Sequence, residues 1–371
     1  MTEQTITLKD RLISIDALRG LAMFLILAYD IGGAPVFQTF TQLWGGNFAI
    51  AAAEQLSYSR DAGLRFSYIA MPMFLFVVGL TIPLSMNSRL KQDNKIRTYF
   101  HIIKRALILF LLGLIAGGHL LHFEFAHMPI YNNVLEYIGI GYLICAILVL
   151  NTKTRVQLII TGVLLVLYWA LFLFIPVPGG QGGLYSGEMN LAVYIDDIVL
   201  GPFHRHGSWQ VLATINFISN MLLGVLMGQL IFSSRNKESK MKLLFVYGFG
   251  MLFAGMAWSL FFPVMRSLWT SSFVLETCGI STLLLASFYL ICDVWGYSRW
   301  AFFFVVFGVN SIAIYMMAHM FDFSLIGNIF VGGISSLFAP NVQAFIQAIA
   351  AMIVMWLIMY WMYCKKTFIK I

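Results

Sequence analysis

Long apolar runs separated by short polar segments are the dominant pattern along this chain. The runs recur from the first fifty residues to the last thirty, and charged residues are sparse within them. At a rise of about 1.5 Å per residue, a helix of roughly 20 residues crosses a hydrocarbon core of roughly 30 Å. The runs are continuous and do not alternate with polar residues, so they predict helices and not the strands of a barrel.

We therefore predict an all-α fold, a polytopic transmembrane helical bundle of about ten spans in a single domain over residues 1–371. The first run has no small-residue cleavage pattern and is expected to remain as a span. No repeat at a fixed period is visible. The predicted spans lie near residues 17–36, 66–86, 102–121, 132–150, 157–177, 211–232, 242–262, 271–293, 301–321 and 343–364.

Composition and charge add a direction to this picture. Hydrophobic residues make up 60% of the chain and charged residues 11%, against about 25% charged in soluble domains. With ten spans, both termini share a side that holds 19 of the 23 Lys and Arg residues. The positive-inside rule then places both termini in the cytoplasm. Orientation accounts for the net charge of +7, so we expect a lipid bilayer and no nucleic acid as partner.

Metal and disulfide sites are not expected. The four cysteines lie inside or at the ends of apolar runs, and no pair has metal-ligand spacing. The histidines of "HLLHFEFAH" and "FHRH" are candidate ligands by residue type. Histidines in loops near a membrane surface are more often interfacial or solvated, so we predict no metal.

Ionisable residues within spans concentrate towards the predicted outer side. Placing one in a span costs roughly 2.5–3.5 kcal/mol on insertion scales, so each is a functional candidate. A carboxylate within a turn of the interface also has a structural alternative, because it can reach water or pair with Arg266. The span residues are Asp30, Glu136, Glu276 and His319, and the outer segments add Tyr58, Asp61, His119, His122, His127, His204 and His206. We expect these residues to ring an outward-facing cavity.

Charged residues at the predicted inner side suggest a second site. Asp16 and Arg19 are three residues apart in "SIDALRG" and so share a helical face. They predict either a local ion pair that anchors the helix or, together with Lys104 and Arg105, a basic wall for an anionic cytosolic ligand. Within the spans, Asn216, Asn220, Asn310 and Ser311 are more often hydrogen-bonding groups between helices than substrate contacts.

Seven stretches give the chain a family resemblance. Taken together, in order, they resemble the heparan-α-glucosaminide N-acetyltransferase-like family, including its bacterial members, over nearly the whole chain. The stretches are "RLISIDALRGLAMFLILAYDIGG", "PMFLFVVGLTIPLS", "NNVLEYIGIGYLICAILVL", "NLAVYIDDIVLG", "LATINFISNMLLGVLMGQLI", "LWTSSFVLETCG" and "FGVNSIAIYMMAHMF".

The resemblance implies acetyl transfer across a membrane, here the bacterial inner membrane. Acetyl-CoA would be the cytoplasmic co-substrate, and a saccharide or glycolipid at the periplasmic face the acceptor. It also implies binding roles for Asp196, Asn310 and Ser311, which fit its motifs. A homodimer is one option for the oligomeric state. The candidate substrate-binding set is Arg60, Arg65, Glu136, Asp196, Glu276, Asn310 and Ser311, and the candidate set for acetyl-CoA is Asp16, Arg19, Lys104 and Arg105.

The chain departs from the family at the catalytic segment. The family pattern there is H-x-x-W-x-G-x-x-x-x-D, and counting back from Pro72 places Tyr58 at the histidine position and Asp61 at the tryptophan position. Gly63 is kept, whereas Tyr68 replaces the aspartate. A tyrosine with an ordinary pKa near 10 is a poor general base at neutral pH. The remaining candidate bases are Asp30, Asp61, His319 and the histidines at positions 119, 122 and 127.

Two functions follow from this departure. The first is a membrane-embedded acyltransferase that moves an acetyl group from acetyl-CoA to a sugar or glycolipid. The alternative is a family member without catalysis that acts as a transporter or partner subunit in a sugar pathway. We rank Asp30 first among the bases because its depth in the span favours uptake of a proton near pH 7.

Overall fold

The computed structural model describes residues 12–29, 31–44, 46–56, 62–92, 94–118, 129–177, 190–204 and 211–368. Helices account for all the regular structure in these ranges, which confirms the all-α prediction. The helices are α1 Ile13–Leu27, α2 Val36–Thr41, α3 Gly46–Leu56, α4 Ala70–Gln92, α5 Lys95–Ala116, α6 Val134–Asn151, α7 Thr154–Phe174, α8 Leu191–Leu200, α9 Thr214–Ile231, α10 Lys237–Ser259, α11 Ser271–Phe288, α12 Phe302–Val309, α13 Ser311–Met320, α14 Phe323–Ser335 and α15 Pro340–Cys364.

Within the described ranges, eight helices are long and apolar enough to cross a membrane. They correspond to the predicted spans two to eight and ten, so the chain is a multi-pass membrane protein. The ninth predicted span is α12 and α13 together, bent by 62° at Asn310. The first is α1, which has 15 residues and ends at Leu27. The count of ten spans, the cytoplasmic termini and the single domain stay predictions.

Three of the connections between predicted spans contain helices of their own. The segment after the first span forms α2 and α3, the segment before residue 201 forms α8, and residues 322–342 include the apolar helix α14. Each helix is shorter than a span, so hydropathy over a span-length window does not reveal it. Capping helps to define two of them, since Asn190 accepts hydrogen bonds from the first turn of α8 and Asp322 from that of α14.

Contacts divide the chain into two compact units. Unit 1 comprises residues 1–56, 235–246 and 282–370, and unit 2 comprises residues 57–234 and 247–281. In unit 1, α1 and α12 pack through glycines, because a Cβ on Gly20 would lie 1.7 Å from the Phe304 carbonyl oxygen and one on Gly308 2.0 Å from that of Asp16. Ser14 at the start of α1 lies near Asp293, which precedes α12, and Gly32, which follows α1, lies near Ala318 in α13, so α1 and α12 run in the same direction.

Unit 2 is built around the crossing of α4 and α9. A Cβ on Gly79 would lie 2.1 Å from the carbonyl oxygen of Met221, and one on Gly224 would lie 2.1 Å from that of Phe76. Small residues let two membrane helices approach to backbone contact. A separate cluster of buried side chains packs α7 and α8 onto the turn before α11, with Tyr168, Phe172, Leu191 and Phe262 among its members.

Candidate functional site

His319 is the predicted catalytic residue whose surroundings the structure describes. It lies in the last turn of α13 in unit 1 and is half-buried. Its Nδ1 is 2.9 Å from the Tyr315 carbonyl oxygen, and the two rings are 4.2 Å apart at their centroids. A carbonyl oxygen only accepts, so this bond assigns the imidazole proton to Nδ1. The Nε2 lone pair is then available to accept a proton.

The turn that follows Asp30 packs against the same end of α13. Gly32 and Gly33 have φ angles of 78° and 75°, which glycine adopts without strain. The Gly32 carbonyl accepts a hydrogen bond from the Phe323 N–H at 2.9 Å. A Cβ on Gly32 would lie 3.1 Å from the Ala318 Cα, next to His319. Asp30 itself lies outside the described residues.

Asn310 and Ser311 lie at the other end of α13. Ser311 lies eight positions before His319, which is about 12 Å of helix. The Asn310 side-chain amide donates to the Thr367 carbonyl at 3.0 Å, so it ties the break between α12 and α13 to the backbone that follows α15. Their substrate-binding role stays a prediction, and they do not share the His319 end of the helix.

The first two turns of α1, in unit 1, contain the predicted Asp16–Arg19 pair. The Arg19 guanidinium lies 3.5 Å from the Asp16 carboxylate, the geometry of the local ion pair. Asp293, which the sequence reading missed, accepts a hydrogen bond from the Ser14 N–H at 3.3 Å through its carboxylate. Its carbonyl accepts from the Lys237 ammonium at 2.7 Å. A carboxylate at the first turn of α1 satisfies an unpaired amide and opposes the helix dipole.

Unit 2 contains a histidine between two carboxylates at the end of α8. The His204 Nδ1 lies 2.5 Å from the Asp197 carboxylate, and its Nε2 lies 3.7 Å from that of Asp196. The imidazole and the Asp196 side chain are buried, and Asp196 also accepts from the Val211 N–H at 2.9 Å. Of the predicted outer histidines, those at positions 119, 122, 127 and 206 lie outside the described residues.

The Tyr131 phenol interacts electrostatically with the carboxylates of Glu136 and Asp196. Burial raises the pKa of the Tyr131 phenol, and the two carboxylates raise it further. The phenol forms a 2.6 Å hydrogen bond with the Thr214 hydroxyl. Tyr131 has a φ of 61°, which is rare for an aromatic residue and marks local strain.

The Glu136 side chain helps to cap the start of its own helix, α6. It is the third residue of α6 and accepts from the Asn132 N–H at 3.2 Å, while Asn133 caps the same helix by accepting from the Leu135 N–H at 3.0 Å. The arrangement resembles a capping box. This contact gives Glu136 a structural role other than the predicted alternatives of reaching water or pairing with Arg266, and its substrate-binding role stays a prediction.

A strained turn before α11 packs against the segment that resembles the catalytic region of the family. Trp269 has a φ of 53°, and its carbonyl accepts from the Asn216 amide at 2.7 Å. The Gly63 N–H donates to the Val264 carbonyl at 2.8 Å, and the Arg266 guanidinium lies 5.7 Å from the centre of the Tyr68 ring. Tyr58, Arg60 and Asp61, which precede Gly63, lie outside the described residues.

Three ring contacts connect the two strained aromatic residues, and a fourth continues from Trp269 to Phe273. Both residues, Tyr131 and Trp269, precede the first turn of a spanning helix. The neighbouring ring centroids are 4.8 to 5.2 Å apart, in the order Tyr131, Tyr137, Phe217, Trp269 and Phe273. The sequence gives no signal for the left-handed backbone at these positions, because neither residue type favours it.

The remaining predicted residues of unit 2 are spread over two helices and a loop. Arg65 is half-buried before the 3₁₀ turn Phe66–Ile69, and Glu276 is buried in the second turn of α11. Lys104 is exposed, whereas Arg105 is half-buried with its guanidinium 4.5 Å from the centre of the Tyr142 ring.

Lys104 and Arg105 are the tenth and eleventh residues of α5. Helix α5 begins at Lys95, where Asn94 caps it by accepting from the Arg97 N–H at 2.9 Å. Its charged first turns extend the helix beyond the apolar run, so both residues lie well inside it. Their role in binding acetyl-CoA stays a prediction.

Comparison with known proteins identifies two relatives. The human heparan-alpha-glucosaminide N-acetyltransferase is 25% identical over 376 residues, which cover 85% of this chain and 54% of the human protein. The mouse heparan-alpha-glucosaminide N-acetyltransferase is 25% identical over 370 residues, covering 83% of this chain and 53% of the mouse protein. This chain is a distant relative of heparan-alpha-glucosaminide N-acetyltransferase.

The chain spans about half the length of the curated relatives it matches. No family model matches the chain. In the described part of the chain, no group of three or more His, Cys, Asp or Glu side chains has an arrangement that could hold a metal ion.

Proposed function

We propose that the protein is a membrane acyltransferase that moves an acetyl group from cytoplasmic acetyl-CoA to a saccharide or glycolipid at the periplasmic face of a bacterial inner membrane. The observation that carries this proposal is the 25% identity to two membrane acetyltransferases over 85% and 83% of the chain. Similarity over that share of the chain supports acyl transfer in general.

His319 is the base that we propose for the transfer. Acceptance of a proton from the attacking group requires a neutral imidazole with a free lone pair. The hydrogen bond from Nδ1 to the Tyr315 carbonyl fixes the ring with Nε2 as the acceptor. An amine nitrogen or hydroxyl oxygen of the sugar would add to the acetyl carbonyl carbon, and its proton would pass to His319. The carbon–sulfur bond would then break as CoA leaves.

Other residues are proposed for binding and as alternative bases. Asp30 precedes the glycine turn that packs beside His319, so it is the second candidate for the base. Tyr58 and Asp61 are further candidates from the segment that resembles the catalytic region. At the cytoplasmic side, Arg19, held by Asp16, is proposed to bind phosphate groups of acetyl-CoA, as are Lys104 and Arg105, because guanidinium and ammonium groups favour phosphate.

Acetyl transfer in membrane vesicles tests the proposal. Vesicles containing the protein would receive radiolabelled acetyl-CoA on the cytoplasmic side and glucosamine or a panel of amino sugars on the other. We expect label in the sugar, and a loss of about 100-fold or more in the His319→Gln variant. The matched control is His204→Gln, which removes a buried histidine from unit 2 and should retain transfer.

Three outcomes would contradict parts of the proposal. Absence of transfer to every acceptor by folded wild-type protein would overturn the acyltransferase function. Transfer that is unchanged in His319→Gln but lost in Asp30→Asn would move the base to Asp30. Uptake of sugar without any acyl donor would instead support transport.

A further inference from the structure

A seven-residue pattern occurs twice in unit 2. Residues 134–140 read "VLEYIGI" and residues 274–280 read "VLETCGI", so five of the seven positions are identical. The first copy opens α6 and the second lies in the first turns of α11. Seven residues in apolar helices carry little weight alone, but their packing can be compared position by position.

Each copy packs against the preceding spanning helix in the same register. A Cβ on Gly113 of α5 would lie 2.5 Å from the Glu136 Cγ, and one on Gly255 of α10 would lie 2.7 Å from the Glu276 Cγ. The glutamate of each copy therefore covers a glycine of the helix before it.

A second pair of contacts lies one turn further along. A Cβ on Gly139 would lie 2.9 Å from the Ala106 carbonyl oxygen, and one on Gly279 would lie 2.9 Å from that of Gly248. Ala106 is seven residues before the glycine that faces the first glutamate, and Gly248 is seven residues before its counterpart. The hairpins α5–α6 and α10–α11 thus share glycine positions, spacing and partners.

The helices that precede these hairpins are also equivalent. Gly79 of α4 faces the Met221 carbonyl of α9, and Gly224 of α9 faces the Phe76 carbonyl of α4. Gly79 lies three positions after Phe76 in α4, and Gly224 lies three positions after Met221 in α9. Reciprocal contacts of this kind are what a two-fold axis generates.

We infer that the chain contains an internal duplication, α4–α5–α6 and α9–α10–α11, whose matching contacts lie in unit 2, and that its two equivalent glutamates have diverged, with Glu136 kept as a helix cap and Glu276 acting as a proton-binding site within the membrane. Four spans connect the start of α4 to the start of α9, so both copies run in the same direction. Such parallel repeats have their axis along the membrane normal.

The different helix starts explain the divergence. Glu136 is the third residue of α6, where unpaired amide groups are available, and it accepts from the Asn132 N–H. Helix α11 begins at Ser271, so Glu276 is its sixth residue and lies beyond those amides. Glu276 is 5% exposed, and the described part of the chain offers its carboxyl no hydrogen bond or ion pair.

The helices around Glu276 carry no charge that compensates a carboxylate there. In the sequence, α9 has no charged residue, the charged residues of α10 end at Lys242, and Glu276 is the only charged residue of α11. The titratable groups nearby are the exposed Tyr247 of α10 and Cys278, whose thiol donates to the Asn220 carbonyl. An unpaired carboxylate in apolar surroundings is costly, and a bound proton removes that cost.

Labelling with dicyclohexylcarbodiimide tests the proton site on the purified protein. A protonated carboxyl gives its proton to one nitrogen of this apolar reagent, its oxygen adds to the central carbon, and migration of the acyl group to nitrogen leaves an N-acylurea. Peptide mass analysis should find the adduct at Glu276 at least about 10-fold above Glu136, and no adduct at position 276 in Glu276→Gln. Equal labelling of both glutamates, or none at Glu276, would overturn this assignment.

Matched glycine variants test the duplication without any use of acyl transfer. Gly113→Ala and Gly255→Ala should lower the unfolding temperature by similar amounts, because both place a methyl group against an equivalent glutamate. Gly250→Ala on α10 is the control, since a Cβ there has nothing within 4 Å. Destabilisation by only one of the two substitutions would contradict the shared register.

Discussion

The crossing of α4 and α9 allows a quantitative prediction of how tightly unit 2 is packed. In Gly79→Ala the new Cβ would lie 2.1 Å from the carbonyl oxygen and 2.8 Å from the carbonyl carbon of Met221. Both are backbone atoms, so no side-chain rotation relieves the overlap. The helices must separate by about 1 Å, a gap that forfeits roughly a quarter to a half of each dispersion contact along the crossing.

The expected cost is that of overpacking, about 1–3 kcal/mol. Alanine also has the higher helix propensity, worth about 1 kcal/mol in favour of the variant. Gly162→Ala in α7 isolates the steric part, because a Cβ there has nothing within 4 Å and the propensity gain is the same. We expect Gly79→Ala to be less stable than Gly162→Ala by about 1–3 kcal/mol.

Buried cysteines provide the assay. Cys145 and Cys278 are fully buried, so a thiol-reactive fluorogenic dye reports their exposure as the detergent-solubilised protein unfolds on heating. Gly224→Ala should behave like Gly79→Ala, and the double variant should cost less than the sum, because the first methyl group already separates the helices. Unfolding temperatures for Gly79→Ala and Gly162→Ala that coincide would refute the close crossing.

Three further predictions use the same unfolding assay. Asn216→Leu should destabilise the protein by about 0.6–1.7 kcal/mol through loss of its 2.7 Å hydrogen bond. Asn220→Leu should be neutral or stabilising, because the buried Asn220 amide has no partner in the described part of the chain. A larger loss of stability in Asn220→Leu than in Asn216→Leu would contradict this. Asp293→Ala should cost about 0.5–2 kcal/mol through loss of the cap on α1, and unchanged stability would argue against it. Burial raises the pKa of Tyr131, so above about pH 10 the unfolded phenol loses its proton while the folded one keeps it. Wild-type stability should therefore fall with rising pH more steeply than that of Tyr131→Phe. Identical slopes of stability against pH in the two proteins would refute the raised pKa.

The sequence by itself determined the class of fold and most of the spans. In lipid, every backbone amide and carbonyl must be paired within its own segment, so an apolar run of sufficient length forms a helix whatever surrounds it. Local spacing also located the Asp16–Arg19 ion pair, since residues three apart meet on one helical face. The family relationship followed from the order of motifs along the chain.

Only the tertiary structure decided which residues meet. Asp293 caps a helix 279 residues away, and Tyr131 bonds with a residue 83 positions along the chain. The duplication of three helices was also hidden, because only seven consecutive positions retain clear similarity and the remaining evidence is which carbonyl each glycine faces. Hydrophobicity determines that a helix forms and how long it is. Which helix becomes its neighbour depends on side-chain shape at long-range contacts, which no local sequence pattern records.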